Sequence, residues 1–131
     1  MGTGFGRALW IGAGGFLGAN ARYWLGVWIQ NRLKTSYPWG TFGVNVSGAF
    51  LLGLLMAVLS QRLLADRASE LQLLLAAGFL GSYTTFSTFA FETLSLAQEF
   101  RWGAAMANGL GSLVAGLIAV WLGSQLGRWL G

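Results

Sequence analysis

Residues 71–91 carry no charged side chain. A run of that length can cross the hydrocarbon core of a bilayer, which takes about 20 residues as a helix. A second uncharged run covers residues 35–61. In water such segments would need a large polar shell, and the chain has none to offer. Of its 131 residues, 55% are hydrophobic and 9% are charged, against about 25% charged in ordinary soluble domains. The expectation is one all-α membrane domain over residues 1–131, because only helices and closed barrels satisfy their backbone groups in lipid.

Four transmembrane helices are expected. The first covers about 5–28. Its start, with Arg7, an apolar run over 8–18 and then Ala19-Asn20-Ala21, imitates a secretory leader with a cleavage site. The apolar character resumes at Tyr23-Trp24-Leu25, which favours a retained span. Gly12, Gly14, Gly15 and Gly18 imitate a dinucleotide fingerprint, but Leu17 stands where its third glycine belongs and no strand precedes it. Gly14 and Gly18, one turn apart, read instead as a surface for close helix packing. The second span lies within 35–61, with Pro38 near its first turn and Thr41, Asn45 and Gly48 on one face. A solvated connector follows, with Arg62, Asp66, Arg67 and Glu70. The third span runs to about residue 96 and the fourth covers 102–127, where Asn108, Ser112 and Gly116 share a face. The tryptophans fall mostly near the span ends, as an interfacial belt requires.

The middle of the third span is too polar for a lipid-facing helix. Gly78–Glu92 reads GFLGSYTTFSTFAFE and places Ser82, Thr84, Thr85, Ser87 and Thr88 at membrane depth, with Phe86 and Phe89 among them. Polar groups there survive only where protein buries them or water reaches them. With Asn45, Asn108 and Ser112 these hydroxyls form a set of hydrogen-bond donors suited to a partly dehydrated anion. Each alone reads as interhelical glue; the density over 82–88 exceeds what packing needs. Phenylalanine edges carry partial positive charge and can hold an anion weakly, and weak binding is what conduction requires. Gly81-Ser82-Tyr83-Thr84 predicts an interruption of the helix, and freed carbonyls at such points coordinate ions. Two inverted copies meeting there would enclose a small hard cation.

Catalysis has little to work with. There is no histidine and no cysteine, and Glu92 is the only acidic residue expected within a span, so general acid–base and metal-assisted chemistry lack their groups. The chain is not expected to be an enzyme. Its eight basic residues form no patch, which argues against nucleic acid as a partner. Arg7, Arg62, Arg67 and Arg128 fall on the side of the termini, against Arg32, Lys34, Arg101 and a snorkelling Arg22 on the other. So even a count gives no orientation preference, as a chain that inserts both ways would show.

Gly78-Phe79-Leu80-Gly81, then Thr84-Thr85-Phe86-Ser87-Thr88-Phe89 and Glu92, resembles the core motif of the small fluoride channels, the Fluc or CrcB family. Gly18 with Arg22, Trp39-Gly40-Thr41 with Val44-Asn45 and Gly48, and Ser112 with Gly116 and Gly123 resemble its other spans, so the likeness covers nearly the whole chain. It implies four transmembrane helices, the third broken near its middle, in an antiparallel dual-topology homodimer in the plasma (inner) membrane. It implies two pores that pass fluoride passively out of the cell and relieve its toxicity. Phe86, Phe89, Asn45, Thr85, Ser87, Thr88 and Ser112 would line them. A structural sodium ion would be held at the dimer interface by backbone carbonyls of Gly81 and Thr84. Ser82 stands where many members have a second glycine, followed by Tyr83, and Asn108 stands where some have tyrosine. The alternative reading from another class is a small dual-topology proton-coupled multidrug exporter, which would want a carboxylate in the first span; that span offers Arg22. A third is a packing subunit that transports nothing.

Overall fold

A computed structural model describes residues 3–61 and 68–130. Arg62, Asp66 and Arg67 of the expected connector lie outside the described residues. Among the described residues there are helices and turns and no strand. Helix α1 is Gly4–Leu33, longer at both ends than the expected span. The Thr3 hydroxyl accepts the Gly6 N–H at 3.4 Å to start it, and Lys34 ends it in a left-handed conformation. Helix α2 is Trp39–Leu59, with Pro38 as its N-cap. Helix α3 begins as an α-turn, Ala68–Leu71, widens into a π-helical segment, Gln72–Leu80, and closes with Gly81–Tyr83. Helix α4 is Phe86–Gln98 and α5 is Trp102–Trp129.

Trp39–Leu59, Ala68–Gln98 and Trp102–Trp129 are each long and apolar enough to cross a membrane. Helix α1 has the length but is not among them. Gly12, Gly14, Gly15, Gly18, Asn20 and Arg22 dilute its apolar content. Its exposed face is nonetheless apolar, with Phe16, Leu17 and Trp24 outward, and α5 likewise turns Leu117, Ile118 and Trp121 outward. Apolar side chains on the outside are what a lipid solvent selects.

Lipid gives helices no hydrophobic reason to associate, so close backbone contact must hold them. Glycines make that contact possible. On α2 and α5, Gly53 faces the Val120 carbonyl and Gly123 faces the Phe50 carbonyl. On α1, Gly14 faces the Leu74 carbonyl and the Cα of Gly78, and Gly18 faces the backbone of Phe79. The glycines of α1 thus dock on the π-helical part of α3. Val44, Leu80 and Tyr83 form the buried core among α1, α2 and α3, with Leu25, Leu55 and Phe79 against them. The Tyr83 ring stacks on Phe79 at 5.7 Å, and its hydroxyl meets Ser47 Oγ at 2.7 Å. That bond satisfies the polar end of a side chain the resemblance singled out as a departure.

The turn from α4 to α5 is a Schellman motif. Phe100 adopts φ 58°; its N–H donates to the Ala97 carbonyl at 3.0 Å, and the Arg101 N–H donates to the Leu96 carbonyl at 2.9 Å. Glycine normally takes that left-handed position.

Gly123→Leu is expected to separate α2 from α5 and to cost about 1–3 kcal/mol, the range for overpacking a tight contact. Gly116→Leu, where nothing lies within 4 Å of an added Cβ, should leave the thermal unfolding midpoint in detergent unchanged. Equal midpoints for both variants would show that the contact at Gly123 does not hold the pair.

Candidate functional site

The site is built where α3 gives way to α4. Of the stretch Gly81–Thr84 expected to interrupt the helix, Gly81–Tyr83 is helical; the non-helical backbone is confined to Thr84 and the residue after it. Thr84 (φ −81°, ψ 157°) and Thr85 (φ −147°, ψ 119°) are extended. β-Branched residues suit that conformation. Asn45 holds it from α2. Its Oδ1 accepts the Thr85 N–H at 2.8 Å and its Nδ2 donates to the Thr85 carbonyl at 3.0 Å. One side-chain amide thereby satisfies both backbone groups of a buried, non-helical residue, which would otherwise be costly in lipid.

Thr85 also starts α4. Its Oγ1 accepts the Thr88 N–H at 3.3 Å and lies 3.1 Å from Thr88 Oγ1, to which it donates. In an uninterrupted helix the Thr85 and Thr88 N–H groups would bond the Gly81 and Thr84 carbonyls. Both donors are diverted, the first to Asn45 and the second to Thr85 Oγ1. The two carbonyls expected to face a cation are therefore among those that lose their i+4 helical donors at the interruption. Among the described residues no group of His, Cys, Asp or Glu could hold a metal ion, so any cation here would have to be one that takes neutral oxygen ligands.

Two clefts meet at Thr85. One, of about 440 Å³, is lined by Asn45, Gly81, Thr84, Thr85, Phe86, Phe89 and Ser112. The other, of about 630 Å³, is lined by Arg22, Thr41, Thr85, Thr88 and Glu92 among others. The structure thus brings Asn45, Thr85, Phe86, Phe89 and Ser112 to one wall and places Thr88 on the other side of Thr85. Ser87 lines neither cleft; it is exposed, and its hydroxyl lies 3.5 Å from Thr85 Oγ1. The rings of Phe86 and Phe89 are 5.8 Å apart and tilted by 51°. Phe86 is 79% exposed on this chain.

Other polar residues of the inventory have structural partners. Asn108, 1% exposed, donates to Thr93 Oγ1 at 2.8 Å, and Thr93 donates to the Phe89 carbonyl at 2.7 Å. It joins α5 to α4 behind Phe89 and lines neither cleft. No sequence signal distinguished Thr93 from ordinary helix hydroxyls. Thr41 Oγ1 donates to Glu92 Oε1 at 2.8 Å, while Glu92 Oε2 and Ser112 Oγ are buried without a partner. Spacing alone puts Thr41 on a face with Asn45; that this face meets α4 is decided by the packing.

Residues 9–124 match the family model described as CrcB-like protein, Camphor Resistance (CrcB). The chain belongs to the CrcB family. Among its CrcB relatives, a protein of Acidobacterium capsulatum is 49% identical over 122 residues, covering 93% of this chain and 96% of the relative. One from Chloroflexus aurantiacus is 44% identical, covering 92% and 94%. One from Thermus thermophilus is 42% identical, covering 92% and 93%. All three bear the name fluoride-specific ion channel FluC.

Asn45→Leu keeps the size of the side chain and removes both bonds to Thr85. Each orphaned buried group costs about 1–3 kcal/mol, so a large drop in thermal stability in detergent is expected. Ser112→Ala, which removes a hydroxyl with no partner, should be neutral in the same measurement. A neutral Asn45→Leu would mean that Thr85 is held by something other than this clamp.

Proposed function

We propose that this CrcB chain forms a fluoride-selective channel that lets the anion leave the cell passively through the plasma (inner) membrane. The observation that carries the reading is the wall formed by Asn45, Thr85, Phe86, Phe89 and Ser112 along one cleft, with the unpartnered Ser112 hydroxyl and the second N–H of the Asn45 amide beside two aromatic rings. Both kinds of group favour a small anion, and neither carries a full charge that would trap it. Hydrogen fluoride crosses bilayers as a neutral acid and dissociates in the less acidic cytoplasm. A negative interior then drives the anion outward by about 2.3 kcal/mol per 100 mV. The names of the relatives support this reading. Helix α1 contains no carboxylate for proton coupling, so a drug exporter is not favoured.

In this reading α1 is a fourth membrane span, 68–98 is one span interrupted at Thr84 and Thr85, and two chains pair in opposite orientations. A ring left 79% exposed at a permeation wall is supportive, because a pore needs a second wall. The carbonyls of Gly81 and Thr84, relieved of their i+4 helical donors, are suited to a sodium ion shared by both chains.

Purified protein in liposomes should release fluoride rapidly with no comparable chloride release. Phe86→Ala or Phe89→Ala should slow fluoride release by at least about tenfold, a loss of roughly 1.4 kcal/mol or more in barrier terms, without preventing assembly. Equal fluoride and chloride rates, or unimpaired phenylalanine variants, would contradict the channel reading. Dimerisation and topology have separate readouts. Replacing sodium with a bulky organic cation should weaken the dimer in detergent. Single cysteines introduced at Lys34 and at Arg128 should each label from both sides of the membrane; one-sided labelling would exclude dual topology.

A further inference from the structure

The turn after α4 is inside out by the standards of a soluble protein. Phe100 is 83% exposed, whereas the Arg101 side chain, next in sequence, is only 36% exposed and lines the larger cleft. The left-handed conformation at Phe100 makes this possible, since it reverses the chain at that residue. An aromatic turned outward and a guanidinium turned inward fit a wet, charged cleft with apolar surroundings. The charged residues lining that cleft are Arg22, Glu92, Glu99 and Arg101. Glu92 is engaged with Thr41. Arg101 Nη1 lies 3.5 Å from Glu99 Oε2, longer than the roughly 2.7–2.9 Å of a tight charge-assisted bond. The pair is loose, so Arg101 keeps most of its donors, and removing either partner changes the charge at the cleft by one unit.

We infer that Arg101 and Glu99 form an opposed charge pair at the mouth of the larger cleft that sets how fast anions enter it: Arg101 draws them in and Glu99 tempers that attraction. This rests on the channel reading above. Clefts with low-dielectric walls focus the field of such charges, and the effect weakens with ionic strength. Neither residue needs to touch a dehydrated ion, so both act on entry and not on selectivity.

The test is initial fluoride efflux from liposomes, at fluoride below saturation, across a range of ionic strength set with an impermeant salt. Arg101→Gln is expected to slow efflux and Glu99→Gln to speed it. The change should be about two- to threefold at low ionic strength, the factor one unit charge produces at roughly 8 Å in water. Both should approach the wild-type rate at about 0.5 M salt, where screening acts within a few ångströms. Arg101→Lys should behave as wild type, and the fluoride-to-chloride preference should not move in any variant. Effects of the same sign in the two neutralised variants, effects independent of salt, or a Lys variant as slow as the Gln variant would overturn the inference. Absence of fluoride efflux from the wild type would instead remove the channel reading on which it rests.

Discussion

A single amide governs the middle of this molecule. Asn45 pairs with both backbone groups of Thr85, and that pairing lets two extended residues persist inside a helical membrane protein. Without it, the N–H and C=O of Thr85 would be buried unpaired, and a continuous helix would be the cheaper backbone. The rest of the site follows from this diversion. Thr85 becomes the cap of α4, the Gly81 and Thr84 carbonyls lose their i+4 donors, and Phe86 and Phe89 are carried on the first turn of a new helix toward Asn45 and Ser112.

The clamp works only because the helices around it are fixed. In lipid the fixing is done by backbone contact rather than by exclusion of water. Gly14 and Gly18 bring α1 against the widened turn of α3, and Gly53 and Gly123 bring α5 against α2. The result is a rigid frame about a polar interior, with apolar residues turned outward. Such a frame suits a pathway that must present weak donors in fixed places, since donors free to reorient would bind a small anion too well or not at all.

The polar stretch at 82–88 was legible because hydroxyls at membrane depth demand a reason, and the glycines of α1 were legible as packing surfaces from their spacing. The position of the interruption was not. Gly81 looked like its start because glycine is permissive, yet Gly81 is helical and the two threonines after it are extended. The deciding partner, Asn45, is 40 residues away. Asn108 illustrates the same limit. Spacing put it on a face with Ser112, but its amide is spent on Thr93, and only the packing of α5 on α4 decides which of two neighbours on one face reaches the cleft. The weaker apolar character of α1 has mixed sources: Gly14 and Gly18 face α3, Arg22 lines the larger cleft, and Gly12 and Asn20 are exposed.

What the sequence determined by itself was the class of protein and its chemical vocabulary. Too few charges for a water-facing surface, long uncharged runs, no histidine or cysteine, and a dense set of hydroxyls with two phenylalanines left an anion path as the best use of the chain. These are properties of residues and short spacings, and they survive without any knowledge of contacts. The tertiary structure alone decided which hydroxyls are available and which are spent. A hydrogen-bond donor does one thing at a time, and whether Asn45, Asn108 or Thr41 offers its proton to a passing ion or to another helix depends on neighbours far away in the chain.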